Sequence, residues 1–334
     1  MAFEMKVGVN LGNSLEAIGG ETAWGNPPTT QEMVQAVARK GFKIFRVPTT
    51  WTSHLGPAPE YKIDPAWMAR VRQVVDWSLA EGMTTILNTH HDNDLFQPLF
   101  SNMPKALPAF VAVWQQIAEA FNDIGDALVF EALNEPRPKG VPEEWFGGTL
   151  EARQCINVLQ QAFVDTVRAT GGNNATRRLL VTTSAAVISD SAFDGFILPR
   201  GENLMLSLHS YQPWNFCYNR PEENPTPVFG EEEAARVDKT FDDIRRLALP
   251  YGVPVWITEF GSVTKMDENG IHNDAEVAKY VERFVGNAKA MGIPCLWWDN
   301  NFYESGDEWF GLLDREKMVY NRPMTVKALI ESMK

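Results

Sequence analysis

Short apolar runs alternate along the chain with longer segments of helical periodicity. The β-rich runs begin near residues 6, 43, 83, 127, 178, 203, 254 and 293 and read KVGVNLG, KIFRVP, MTTILNTHH, ALVFEALNE, RLLVTTS, NLMLSLHS, PVWITEFG and IPCLWWDN. Between them lie stretches such as QEMVQAVARKG, AWMARVRQVVDWSLAEG, PAFVAVWQQIAEAFNDIG, ARQCINVLQQAFVDTVRATGG and AEVAKYVERFVGNAKAMG, several ending in the glycine that suits a helix C-cap. Eight strand-helix units predict a parallel sheet closed into a single α/β (β/α)8 TIM barrel over 1–334. The fifth unit is the weak one, with only a broken helix after RLLVTTS. An open doubly wound sheet is the alternative, but no glycine-rich dinucleotide loop follows the first strand.

One strand breaks the apolar pattern. VFEALNEPRP, residues 129–138, starts like a buried strand yet carries Glu131 and Glu135, and carboxylates are rarely buried without partners. Active sites of such barrels form where the strands end, and polar residues collect there: Asn10 and Asn13, Arg46, His90 and His91, Asn134 and Glu135, His209 and Tyr211, Glu259, then Trp297, Trp298 and Asp299. Strands four and seven can face each other across the mouth, which sets Glu135 opposite Glu259. Two carboxylates so placed are the machinery of glycoside hydrolysis, one giving a proton to the leaving oxygen and the other attacking the sugar carbon. Glu259 must stay ionised, and Arg46 with the Tyr211 hydroxyl can hold it so. Glu135 needs a raised pKa, which burial and the charge of Glu259 would provide. Glu131 shares a face with Glu135 but lies about 13 Å deeper at about 3.3 Å per residue, which predicts an interior ion pair with Arg46.

Composition narrows the partners. A chain that is 44% hydrophobic and 22% charged can build a large core, and no run of about 18 apolar residues suggests a membrane span. A net charge of -13 argues against nucleic acid or an anionic membrane and suits a neutral ligand. Cys155, Cys217 and Cys295 form neither a disulfide framework nor a zinc spacing. His90-His91 followed by Asp92 and Asp94 resembles a metal cluster, but adjacent strand residues point apart. Hydrogen bonds to sugar hydroxyls or carboxylates are expected there instead, with no metal or cofactor. Of the 11 Trp residues, Trp24, Trp51, Trp214, Trp297 and Trp298 fall in predicted loops or at strand ends, where flat rings suit the weakly polar faces of sugars.

Together NLGNSLEA, ETAWGNPPTT, FRVPTTW, NTHHD, EALNEP, LHSYQPW, ITEFG and WWDNN resemble glycoside hydrolase family five, the endoglucanase branch, in order from residue 10 to about 315. The resemblance implies a retaining mechanism with Glu135 as acid/base and Glu259 as nucleophile. It lines the cleaved subsite with Arg46, His90, Asn134, His209, Tyr211 and Trp297, and His91, Trp24, Trp214 and Asn13 are taken as further substrate contacts. The segment LFQPLFSNMPKALP after HHD departs from the family pattern. The implied substrate is cellulose or a related β-glucan, with mannanase or xyloglucanase as sister specificities and a non-catalytic carbohydrate-binding protein as the reading from another class. The amino-terminal MAFEMKVGVNLGN lacks signal-peptide features. Because family members are usually secreted, the expectation is an extracellular monomer whose signal has been removed.

Overall fold

The computed structural model describes residues 6–220, 224–266, 270, 272–303 and 308–333. Eight parallel strands close into a barrel in sequence order: β1 (Val7–Leu11), β2 (Ile44–Val47), β3 (Thr84–Asn88), β4 (Leu128–Glu131), β5 (Leu179–Thr182), β6 (Leu204–Ser210), β7 (Val255–Phe260) and β8 (Cys295–Asp299), the last pairing with β1. Each begins within two residues of the start expected from the apolar runs. The principal helices between them are α1 (Gln31–Lys40), α2 (Pro65–Ala80), α3 (Met103–Ala120), α4 (Leu150–Ala169), α5 (Asp190–Phe193), the short α6 (Trp214–Cys217), α7 (Glu231–Leu247) and α8 (Asp274–Ala290). A small β-hairpin, β9 (Leu313–Asp314) and β10 (Val319–Tyr320), and α9 (Pro323–Glu331) follow. No described helix is long and apolar enough to cross a membrane.

Local chemistry sets the boundaries. The Thr30 hydroxyl accepts from the Met33 N–H at 3.3 Å to start α1, and Gly41, at φ 115°, ends it. The α3 helix starts five residues before the expected Pro108, because Pro104 takes the first turn, where a missing N–H breaks no bond. LFQPLFSNMPKALP therefore leads into that helix, with Phe96 buried edge-on against Phe110 at 5.1 Å. The fifth unit's helix is a single turn. In α7 the buried residues are Glu233, Val237, Thr240, Phe241 and Ile244, so a charged sequence still packs one face.

Strand alternation sorts the barrel interior into layers. At the bottom, Ile44, Ile86, Val129, Leu180, Met205, Trp256 and Leu296 form a core of their own. Beside them Gly8 is required, since a Cβ there would lie 2.4 Å from the Ile44 carbonyl oxygen. Above this floor the inward residues turn polar: Asn10, Arg46, Asn88, Glu131, Thr182, Ser207 and Thr258, all buried. The outward residues join the larger core between strands and helices.

Candidate active site

The polar layer converges on Arg46. Its fully buried guanidinium donates to Glu131 at 2.7 Å, to the Asn10 side chain at 2.8 Å, to Asn134 at 2.7 Å and to Glu259 at 2.6 Å. Glu131 also accepts from Asn88 at 2.9 Å and Ser207 at 2.6 Å. The buried carboxylate of strand four is thus an interior ion pair, satisfied on both oxygens. One guanidinium spans Glu131 and the mouth residues, so Glu131 lies nearer the site than the 13 Å expected from a straight strand.

Two backbone irregularities aim the mouth carboxylates. β4 ends at Glu131, and the Asn134 N–H then crosses to the Thr89 carbonyl at 3.0 Å, leaving both Asn134 and Glu135 free to point inward. Ala185, in the left-handed region at φ 54°, turns its N–H onto the Pro136 carbonyl at 2.8 Å and pins this turn from β5. On the other side, the registers of β7 with β6 and β8 both shift before Phe260. This bulge lets consecutive Thr258 and Glu259 both reach inward, Thr258 to Ser207 and Glu259 to Arg46. Carboxylate oxygens of Glu135 and Glu259 and a ring nitrogen of His209 then lie within 4.8 Å of one another.

The two carboxylates differ in their partners. Glu259 accepts from Arg46 and from the Tyr211 hydroxyl at 3.0 Å. Glu135 shares a proton with His209 Nδ1 at 2.9 Å, and the same nitrogen is 3.6 Å from Glu259. Burial pushes Glu259 above the usual carboxylate range against the pull of His209 and Arg46. For Glu135 burial is outweighed by the hydrogen bond and charge of His209 and by Arg137, which hold it below that range. This order is the reverse of the sequence expectation, in which the charge of Glu259 raises Glu135, because that expectation had no His209 between the two. The partners nevertheless separate their chemistry. Arg46 cannot give up its proton, so Glu259 always faces a cation, whereas the proton between His209 and Glu135 can move.

The aromatic frame departs from the expectation at two positions. Trp51 is fully buried in the core between strands and helices, with its indole N–H on the Asn88 carbonyl at 2.9 Å, so its ring has no face for a sugar. Trp297 faces outward, fully buried, with its indole N–H on the Phe310 carbonyl at 2.8 Å and its ring beside Phe260 and the Arg322 guanidinium. Trp298 is the inward residue, paired in register with Asn10, and it stacks on His90 at 5.7 Å with 10° between planes. Alternation from Asn10 selects the second tryptophan, not the first. Asn13 lies in a left-handed turn at φ 56°, where its carbonyl accepts from the Asn26 side chain and its N–H donates to Glu16, and Asn10 reaches Arg46. His90 and His91 follow the end of β3, and their rings meet edge-on at 4.5 Å rather than pointing apart. Burial lowers both, His90 well below its usual value and His91 to about 4, so both are neutral. Trp24 stands 5.4 Å from His91, and half-buried Trp214 stacks on Tyr218 at 4.7 Å. Asn88, Ser207 and Arg137 carry bonds in this network that the sequence did not single out. The three cysteines are buried and free.

A (β/α)8 barrel with two carboxyls this close across its mouth has the architecture of a retaining glycoside hydrolase. Residues 9–304 match the cellulase family, glycosyl hydrolase family 5, and the chain belongs to that family. It is 42% identical to endoglucanase A of Ruminococcus albus, over 99% of this chain and 91% of that protein. Among solved structures, a broad-specificity endoglucanase from Ruminococcus champanellensis with bound cellotriose superposes with a TM-score of 0.92 at 39% identity, covering 98% of this chain and 96% of that one. A xyloglucan-specific endo-β-1,4-glucanase from a metagenomic library, also with cellotriose, gives 0.92 at 37% identity with the same coverage.

Proposed function

We propose that this protein is a retaining endo-β-1,4-glucanase acting on cellulose or related β-glucans, with Glu135 as acid/base and Glu259 as nucleophile. The observation that carries the reading is the placement of the two carboxyls within 4.8 Å. Inverting enzymes hold theirs about 6.5–9.5 Å apart to admit a water, retaining ones about 5–5.5 Å apart. In the first step Glu259 attacks the anomeric carbon as the glycosidic bond breaks, and the leaving oxygen takes the proton of Glu135. In the second, Glu135 removes a proton from water, which attacks the same carbon and frees Glu259. The sugar at the cleaved bond rests on Trp298 beside His90, with Asn134 reaching its 2-hydroxyl and His209 and Tyr211 holding the carboxylates. His91, Trp24 and Trp214 extend the cleft along its rim. The chain acts as one catalytic domain, secreted and monomeric.

Likeness to a xyloglucan-specific relative supports a second reading, in which branched glucan is preferred. Reducing-sugar release from carboxymethylcellulose, mixed-linkage β-glucan, xyloglucan and glucomannan tests both. Release from the unbranched glucans is the expected result. Activity confined to xyloglucan or glucomannan would transfer the protein to that specificity, and no release from any of the four would make it a binding protein.

A further inference from the structure

Glu135 lies four residues beyond the end of β4, outside the sheet's hydrogen-bond ladder. Part of its support comes from its own loop. Arg137 donates from Nη1 to the Glu135 carbonyl at 2.9 Å, and the same nitrogen is 3.7 Å from Oε2 of the Glu135 carboxylate. That is the oxygen left over when Oε1 binds His209. Arg137 is itself fixed: its guanidinium lies 3.8 Å over the Trp145 ring, and Nε donates to Glu144 at 3.1 Å. The other Glu144 oxygen accepts the Gly140 N–H at 2.8 Å. A planar, permanently charged fork is thus locked against the free carboxylate oxygen of Glu135.

We infer that Arg137 is a positioning residue for Glu135, holding its main chain and setting a fixed cation beside the carboxylate that forms as Glu135 gives its proton to the leaving oxygen. The inference rests on the reading of Glu135 as proton donor. A cation already in place needs no reorganisation at the moment of reaction, so it favours the transition state over the neutral ground state. Glu144, bonded to the same guanidinium, partly offsets that charge.

The other groups facing Glu135 define what remains when Arg137 is removed. His209 from β6 shares its proton, and Glu259 from β7 repels its charge. Arg46 from β2 is engaged by Glu131 and Glu259. His90 and His91 after β3 are neutral, and burial keeps the Tyr211 and Tyr218 phenols protonated. Lys139 in the same loop is bonded to Asp94 at 2.6 Å.

The test compares Arg137→Gln, Arg137→Lys and Glu144→Gln on cellotetraose, whose cleavage needs acid assistance, and on dinitrophenyl cellobioside, whose first step does not. Arg137→Gln should lower kcat on cellotetraose about tenfold while leaving the first step on the aryl glycoside within about twofold. It should also move the alkaline limb of the cellotetraose pH profile up by about half a unit. Arg137→Lys should restore most of both, and Glu144→Gln should move the limb down. Equal losses on both substrates with an unmoved limb would reduce Arg137 to a loop prop and overturn the inference, as would shifts of one sign in both charge-removing variants. Failure of the proton-donor reading is separate: Glu135→Ala would then slow the first step on the aryl glycoside as much as that on cellotetraose.

Discussion

Arg46 and Glu259 meet at 2.6 Å with the guanidinium wholly buried, and the same guanidinium binds Glu131 from below. The polar layer of the barrel interior and its mouth are therefore joined through one side chain. Arg46→Ala would leave two buried carboxylates without their cation, and breaking such a network typically costs about 3–5 kcal/mol. Urea unfolding should show that loss. Arg46→Lys keeps the charge but not the fork, and kcat/KM on cellotetraose should fall about 100-fold through misplacement of Glu259 and Asn134. Wild-type kinetics in Arg46→Lys would contradict the positioning role.

The adjacent tryptophans of β8 should separate cleanly. Trp298 lies on the inward side of the strand, largely buried, between His90 and a cluster with Val263 and Phe310, and Trp297 is sealed against Phe260 and Arg322 on the other side. Trp297→Ala should destabilise the fold by about 3–5 kcal/mol, as large aromatic truncations in a core do. Trp298→Phe should raise KM for cellotetraose severalfold with a small change in unfolding midpoint. If the Trp297 variant is the kinetic one, the inward and outward faces of β8 have been exchanged.

Asn134 accepts from Arg46 through its side-chain oxygen, which leaves its amide N–H groups to donate to substrate. A bond to the sugar 2-hydroxyl strengthens as the oxocarbenium-like transition state forms. Asn134→Ala should therefore lower kcat and kcat/KM together, by about 100-fold or more. A rise in KM alone would mean that Asn134 binds ground state and transition state equally.

Glu16 gives the pH prediction. It is buried in the loop after β1, accepting from the Ser14 N–H at 2.9 Å, and burial raises it from 4.5 to about 7 despite its backbone bonds and the charge of Arg315. A carboxyl with a folded pKa above its unfolded value stabilises the fold below the unfolded pKa and loses that contribution as pH rises through the folded one. Unfolding free energy should thus fall by about 2–3 kcal/mol from this group between pH 4.5 and about 7. Glu16→Gln should flatten that part of the curve. An unchanged slope in chemical denaturation would show that the backbone donors, not burial, govern Glu16.

Periodicity made the barrel legible, because parallel strands buried on both faces read as apolar runs between amphipathic helices. Strand ends then located Arg46, Asn134, Glu135, His209, Tyr211 and Glu259, which the structure joins through hydrogen bonds and the 3.6 Å contact of His209 with Glu259. What stayed hidden follows from geometry that sequence spacing does not carry. The β7 bulge at Glu259 has no sequence mark, and His209 couples the two carboxyls only because β6 lies between β4 and β7 near the closed mouth. Alternation says only that Trp297 and Trp298 point opposite ways, and it takes the register of β8 against β1, which sets Trp298 beside Asn10, to choose the inward one.

Attack of Glu259 on the sugar leaves a covalent glycosyl-enzyme, which can be trapped. A fluorinated cellobioside with a good leaving group slows the second step more than the first, so the glycosyl-enzyme should accumulate. Peptide mass spectrometry should then find one fluorocellobiosyl group on the peptide carrying Glu259, with proton NMR showing the β-anomer as first product from an unmodified substrate. A label on Glu135, or an α-anomer as the first product, would mean that Glu259 is not the nucleophile.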